Sequence, residues 1–248
     1  MTTQAHSEST PHVAQGTFAP TRWTLICAAV EPDASPQAEQ ALDELCRIYW
    51  YPLYVFVRRA GHDAQEAQDL TQGFFARFLA GNYLHDVDRD KGKFRSFLLA
   101  CLKHFLANEW DRGHAQKRGE GQQIVPLNAE TRYEKEAAHA LTPDRLFDRQ
   151  WALTLLDQVL SRLREESVAE NKSTQLDELR IFLTAGKGAI SYADAAARIG
   201  TTEGAAKVAV HRLRKRYREL LRDEIAQTVS DSAQVEEEIR ALFAAFET

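Results

Sequence analysis

The chain has 248 residues, with 36 acidic side chains against 31 lysines and arginines, and a formal net charge of −5. Its 44% hydrophobic and 27% charged residues are the balance of a soluble globular protein large enough for one core or two small ones. No apolar run approaches the roughly 20 residues of a membrane span, and three scattered cysteines, Cys27, Cys46 and Cys101, exclude a disulfide or cysteine-metal framework.

Residues 1–20 are polar, lack the basic start and apolar centre of a signal peptide, and are expected to be disordered. With the cysteine usage, this places the chain in the cytoplasm. From Ala41 the segment ALDELCRIYWYPLYVFVRRAG reads as a helix with Leu42, Leu45, Tyr49 and Phe56 apolar, a kink at Pro52 and a stop at Gly61. DAQEAQDLTQGFFARFLAGN follows, with Ala67, Leu70, Phe74 and Phe78 on one stripe. After the polar loop NYLHDVDRDKGK, the segment FRSFLLACLKHFLANEWDR places Phe94, Leu98, Cys101 and Phe105 toward a core. Short connections between these helices suit a small bundle over residues 21–112.

Periodicity then fails between residues 113 and 142, which read as a flexible linker. Pro143 opens a long amphipathic helix, and STQLDELRIFLTAGKG continues the helical pattern. In SYADAAARIG, Tyr192, Ala195, Ala196 and Ile199 recur at helical spacing, Ser191 and Asp194 resemble a capping box, and Gly200 ends the helix. Only TTE separates it from AAKVAVHRLRKRYRELLR. The pair reads as a helix-turn-helix. The fold class is therefore all-α, with two small helical domains on a linker, 21–112 and 143–228, and an acidic amphipathic tail at 229–248.

Charge is strongly segregated. Residues 203–222 hold seven bases and two acids, whereas residues 223–248 hold seven acids and one base. On the basic helix Ala206, Val210, Leu213, Tyr217 and Leu220 form the stripe to be buried, and Lys207, His211, Arg214 and Arg218 run beside it. A lone basic run is usually a solvated face; a basic run directly after a tight turn fits a recognition helix, whose N-terminal end enters the major groove.

No catalytic or metal motif competes. Asp86, Asp88 and Asp90 alternate like the start of an EF-hand, but Gly92 is one place late and Phe97 stands where the bidentate glutamate belongs. GKGAIS lacks P-loop spacing, and the eight histidines show no ligand pattern. Neither an enzyme, a cofactor nor a metal is expected.

YADAAARIGTTEGAAKVAVHRLRKRYRELLR closely resembles region 4 of bacterial sigma factors, in the extracytoplasmic-function branch of the sigma-70 superfamily. Residues 41–118 resemble region 2, with EAQDLTQGFFARFL and GKFRSFLLACLKHFLANEWDR the most telling pair. The resemblance implies partners in core RNA polymerase and promoter DNA, and a linker running through the polymerase between them. It assigns polymerase binding to Glu66, Gln68, Asp69, Gln72 and Gly73. It assigns the −10 strand to Lys103, His104, Asn108, Trp110 and Arg112, and a pocket for a flipped base to residues 82–95. The −35 element falls to Lys207, Val208, His211 and Arg212, with Arg214 and Lys215 on phosphates. Trp110 has two readings, a stacking platform beside Lys103 or simple packing under the linker.

One departure matters. The clamp-binding helix of such proteins carries more acid than Ala67-Gln68-Asp69-Leu70 and Gly73 supply, leaving about two negative charges missing, close to what one phosphothreonine would add. Thr71, between the changed positions, is accordingly a candidate for a Ser/Thr kinase, as in the kinase-linked groups of the family; half-buried packing is its plain alternative. The tail either folds back on the basic helix to restrain DNA binding or extends the core. A free-standing helix-turn-helix regulator and a polymerase or kinase adaptor remain the competing functions.

Overall fold

The computed structural model describes residues 36–80, 93–115, 133, 141–184, 190–229 and 231–247. The candidate disordered N-terminus, the aspartate loop with the base-pocket residues up to 92, most of the linker and the GKG segment lie outside them; of the proposed pocket only Lys93, Phe94 and Arg95 are described. Among the described residues every regular element is helical. They are α1 (Pro36–Arg59), α2 (Ala64–Leu79), α3 (Phe94–Ala115), α4 (Pro143–Ala169), α5 (Ser173–Leu179), α6 (Ile181–Thr184), α7 (Tyr192–Arg198), α8 (Glu203–Ala226) and α9 (Val235–Ala244), the last entered through a 3-10 turn, Ser232–Gln234. None of them is long and apolar enough to cross a membrane.

Local chemistry sets the boundaries. α1 runs through Pro52 as one element and ends at Gly61, whose φ of 110° only glycine adopts without strain. The Asp63 carboxylate then accepts the Glu66 amide at 2.8 Å, satisfying an otherwise unpaired donor at the start of α2. Thr142 caps α4 with Pro143 in its first turn, where the missing N–H costs nothing.

Packing joins what the sequence separates. α1 lies along α4 in the most extensive helix–helix contact of the molecule. Leu45, Tyr49 and Leu53 of α1 and Phe147, Trp151 and Leu155 of α4 belong to one buried cluster. That cluster also takes in Phe74 and Phe78 of α2, Leu98 and Phe105 of α3, Leu220 and Ile225 of α8, and Leu242 of α9. Each such side chain contributes about 1.5–3 kcal/mol on leaving water. Polar ties cross the same boundary, from Arg59 Nε to the Leu141 carbonyl at 2.9 Å and from Gln158 to Glu44. Two cores flanking a flexible linker are thus not what the described residues build. Residues before and after the linker share one core, because the outer apolar face of α1 is covered by α4.

A second, smaller cluster of Leu179, Phe182, Ala195 and Val210 sits beneath α7 and the start of α8. Cys46 and Cys101 are free, and burial, aided at Cys46 by Asp43, pushes both thiols up to about 11, away from thiolate chemistry.

Candidate nucleic-acid interface

The turn between α7 and α8 is built from its residues. Ser191 Oγ accepts the Asp194 amide and starts α7; Gly200, at φ 67°, lets the chain leave it; Thr202 Oγ1 accepts the Ala205 amide at 3.2 Å and starts α8. On α8 the apolar stripe turns inward, with Ala206, Val210 and Leu220 buried and Leu213 and Tyr217 partly so. Rotating about 100° per residue carries Lys207, Val208, His211, Arg212 and Lys215 to the outside, all exposed. Val208 is half exposed, a large apolar side chain left among cations.

The basic side chains do not all serve one surface. Lys207 pairs with Glu203 at 2.7 Å and lies 5.8 Å from the Tyr192 ring centre; the bond to Glu203 holds its ammonium above the ordinary lysine pKa, so it stays charged. Arg216 grips Glu166 of α4 through two nitrogens, at 2.6 and 2.8 Å, and pulls that carboxyl below its usual range. Arg214 departs from the expectation of a phosphate contact. Its Nε and Nη2 both donate to the Phe182 carbonyl, at 3.1 and 2.7 Å, so the guanidinium caps α6 and sits half buried. A helix of four residues leaves its carbonyls without internal partners, and Arg214 supplies one.

On α3, Lys103, His104, Asn108 and Trp110 are all exposed, Trp110 by 65%. An exposed ring is what the stacking reading requires, while the linker of the packing reading lies for the most part outside the described residues. Lys103 is not simply offered to solvent. It forms an ion pair with Asp144 in the first turn of α4 and lies 5.5 Å from the Phe56 ring. Arg112 falls on α3, outside the residues whose side chains are described.

On α2 the expectations divide. Glu66 and Asp69 are exposed, and Gln72 and Gly73 are partly so. With Asp63, Gln65, Leu70, Arg77, Phe105 and Glu109 they surround an open groove of about 430 Å³ between α2 and α3, although Gln72 does not line it. Four carboxylates face Arg77, which pairs with Glu109 at 2.7 Å, so the groove is acidic. A Cβ at Gly73 would stand 3.4 Å from the Phe105 ring, ordinary contact, so glycine leaves the groove open without being obligatory. Gln68 and Thr71 are corrections. Gln68 is 8% exposed and faces inward, where an added acid would be buried rather than displayed. Thr71 is fully buried, and its hydroxyl donates to the Ala67 carbonyl at 2.7 Å. A kinase finds no hydroxyl there in this packing.

Sequence reasoning did not find Glu109 and Arg77, which complete the acidic groove from two helices, nor the cluster at the start of α3 described below. No group of three or more metal-ligating side chains occurs among the described residues. No family model, curated protein or solved structure matches the chain.

Proposed function

We propose that the chain is an alternative sigma factor, a cytoplasmic protein that binds core RNA polymerase and directs promoter-specific initiation of transcription. The observation that carries the reading is the outer face of α8. Lys207, Val208, His211, Arg212 and Lys215 project from the first half of a helix that follows a tight, capped turn, the arrangement of a helix-turn-helix reading the major groove. Two further surfaces support it. The exposed Trp110, on the same face of α3 as Lys103, suits a separated strand, where ring stacking adds about 1–3 kcal/mol per base. The acidic groove of Glu66, Asp69 and Glu109 suits a basic polymerase surface and fast, salt-sensitive association.

Activation through a Ser/Thr kinase acting on Thr71 carries a condition. The α2 helix must turn or leave its neighbours before the hydroxyl can be modified, and the phosphate would then hold it out.

A second reading is a helix-turn-helix regulator acting without polymerase. The shared core favours it, because a closed chain holds its two candidate DNA faces in one body rather than on a flexible tether.

Transcription from a randomised promoter library with purified core polymerase tests the proposal. Enrichment of transcripts from a common two-part sequence, dependent on this chain, is expected. Duplex binding with no association to core polymerase would install the regulator instead.

A further inference from the structure

The start of α3 is tied to the C-terminal part of the chain by an unusually dense set of bonds. Lys93 pairs with Glu237 at 2.8 Å and with Glu238 at 3.0 Å. Arg95 pairs with Glu238 of α9 and with Asp148 of α4, and its guanidinium lies 4.8 Å from the Trp151 ring centre. The Phe94 amide donates to the Thr228 carbonyl, beyond α8, at 3.3 Å. Glu238 is 1% exposed and the Arg95 side chain 12%, so this pair is the desolvated centre of a cluster whose Glu237 and Asp148 reach solvent. Burial alone would disfavour the charged forms of Lys93 and Arg95, but hydrogen bonds to Glu237 and Glu238 at Lys93, and to Glu238 at Arg95 with Asp148 beside it, outweigh it and keep both cations above their ordinary pKa.

α9 and the residues that follow it reach three ways. Glu236 pairs with Arg222 of α8, Glu237 and Glu238 hold α3, and the Glu247 carbonyl accepts from Arg145 of α4. Its underside, Val235 and Leu242, is buried in the shared core. The three glutamates of its first turn also sit where the helix dipole favours negative charge. The basic first half of α8 is untouched by these ties.

We infer that α9 is an intramolecular latch: its glutamates hold the helices before the linker closed against those after it, and its release lets the two sets part while each stays helical. A buried ion cluster suits this task because intact it is nearly neutral against an apolar core, yet loss of one partner leaves an uncompensated buried charge. Closure thereby depends on a few charged side chains as well as on the shared apolar core. Opening also frees Lys103 from Asp144, although the latch does not depend on what the chain binds.

The test uses the full-length chain with no ligand. Glu237→Gln/Glu238→Gln removes the two α9 anions that hold α3, and Arg95→Gln removes the more buried of the two cations on the other side. Glu236→Gln, which breaks only the exposed pair with Arg222, is the control. X-ray scattering reads the radius of gyration, about 18 Å for a compact chain of this length. Amide exchange reads the α1–α4 contact, and circular dichroism reads helix content. Expected are a larger radius and at least tenfold faster exchange in α1 and α4 for both latch variants, with helix content retained and the control unchanged. Unchanged radius and exchange in the latch variants would overturn the inference. So would opening that comes only with loss of helix, because α9 would then be ordinary core.

Discussion

Replacing Thr71 by aspartate separates a surface switch from a buried one. The side chain is 0% exposed, and its only polar bond runs to the Ala67 carbonyl one turn back in α2. The other buried residues of the same helix are Ala67, Gln68, Phe74, Phe75 and Phe78, of which only the Gln68 amide is polar. An unpartnered charge at such a position costs about 3–5 kcal/mol, by analogy with breaking a buried ion pair. For a chain of this size each kcal/mol shifts the melting midpoint by about 2–4 °C, so a fall of roughly 6–20 °C is expected. Thr71→Val keeps the shape and loses only the hydroxyl bond, worth about 0.5–1.5 kcal/mol, so it should melt within a few degrees of the parent. Thermal unfolding followed at 222 nm measures both. If the aspartate variant melts within about 2 °C of the parent, Thr71 is not buried as described, and an accessible kinase site returns.

Three other outcomes follow from the same geometry. Lys215→Ala should lower the slope of log affinity against log salt for duplex DNA by about 0.9, one phosphate contact, whereas Arg214→Ala should leave the slope alone and reduce stability by about 1–3 kcal/mol, having uncapped the Phe182 carbonyl; an equal fall in slope for Arg214→Ala would contradict its capping role. Trp110→Ala should cost about 1–3 kcal/mol in binding single-stranded oligonucleotides and nothing for duplex, read by anisotropy; a loss on both, or on neither, would remove the stacking platform. The Glu166 carboxyl is held below its usual range by Arg216, so its contribution is present above the unfolded pKa and is lost as pH falls through the folded one. The melting difference between the parent and Glu166→Gln should therefore shrink on acidification from neutral pH through the carboxylate range, and a difference independent of pH would refute the assignment.

Much of α7 and α8 was legible because the deciding interactions are local. Ser191, Gly200 and Thr202 act within four residues of themselves, and the stripe of Ala206, Val210 and Leu220 is a periodicity visible in the string. Thr71 was harder, since its place at the stripe edge of α2 does not reveal how far the neighbouring helices extend over that edge. Gln68 misled for a related reason, its polarity suggesting surface where the helix turns it inward. Arg214 looked like its basic neighbours until a carbonyl 32 residues away claimed it. The joining of α1 to α4 left no mark, because each has an apolar face that a separate bundle would explain equally well.

That joining has a consequence for how the protein is made. The face of α1 bearing Ile48, Tyr49 and Leu53 is completed by residues of α4, synthesised about a hundred positions later. At about 5–20 residues per second, the nascent chain exposes that face for roughly 5–20 seconds after α1 has left the ribosome. The first helix is therefore a waiting surface during translation, an apolar strip that a chaperone or another nascent chain meets before its own partner arrives.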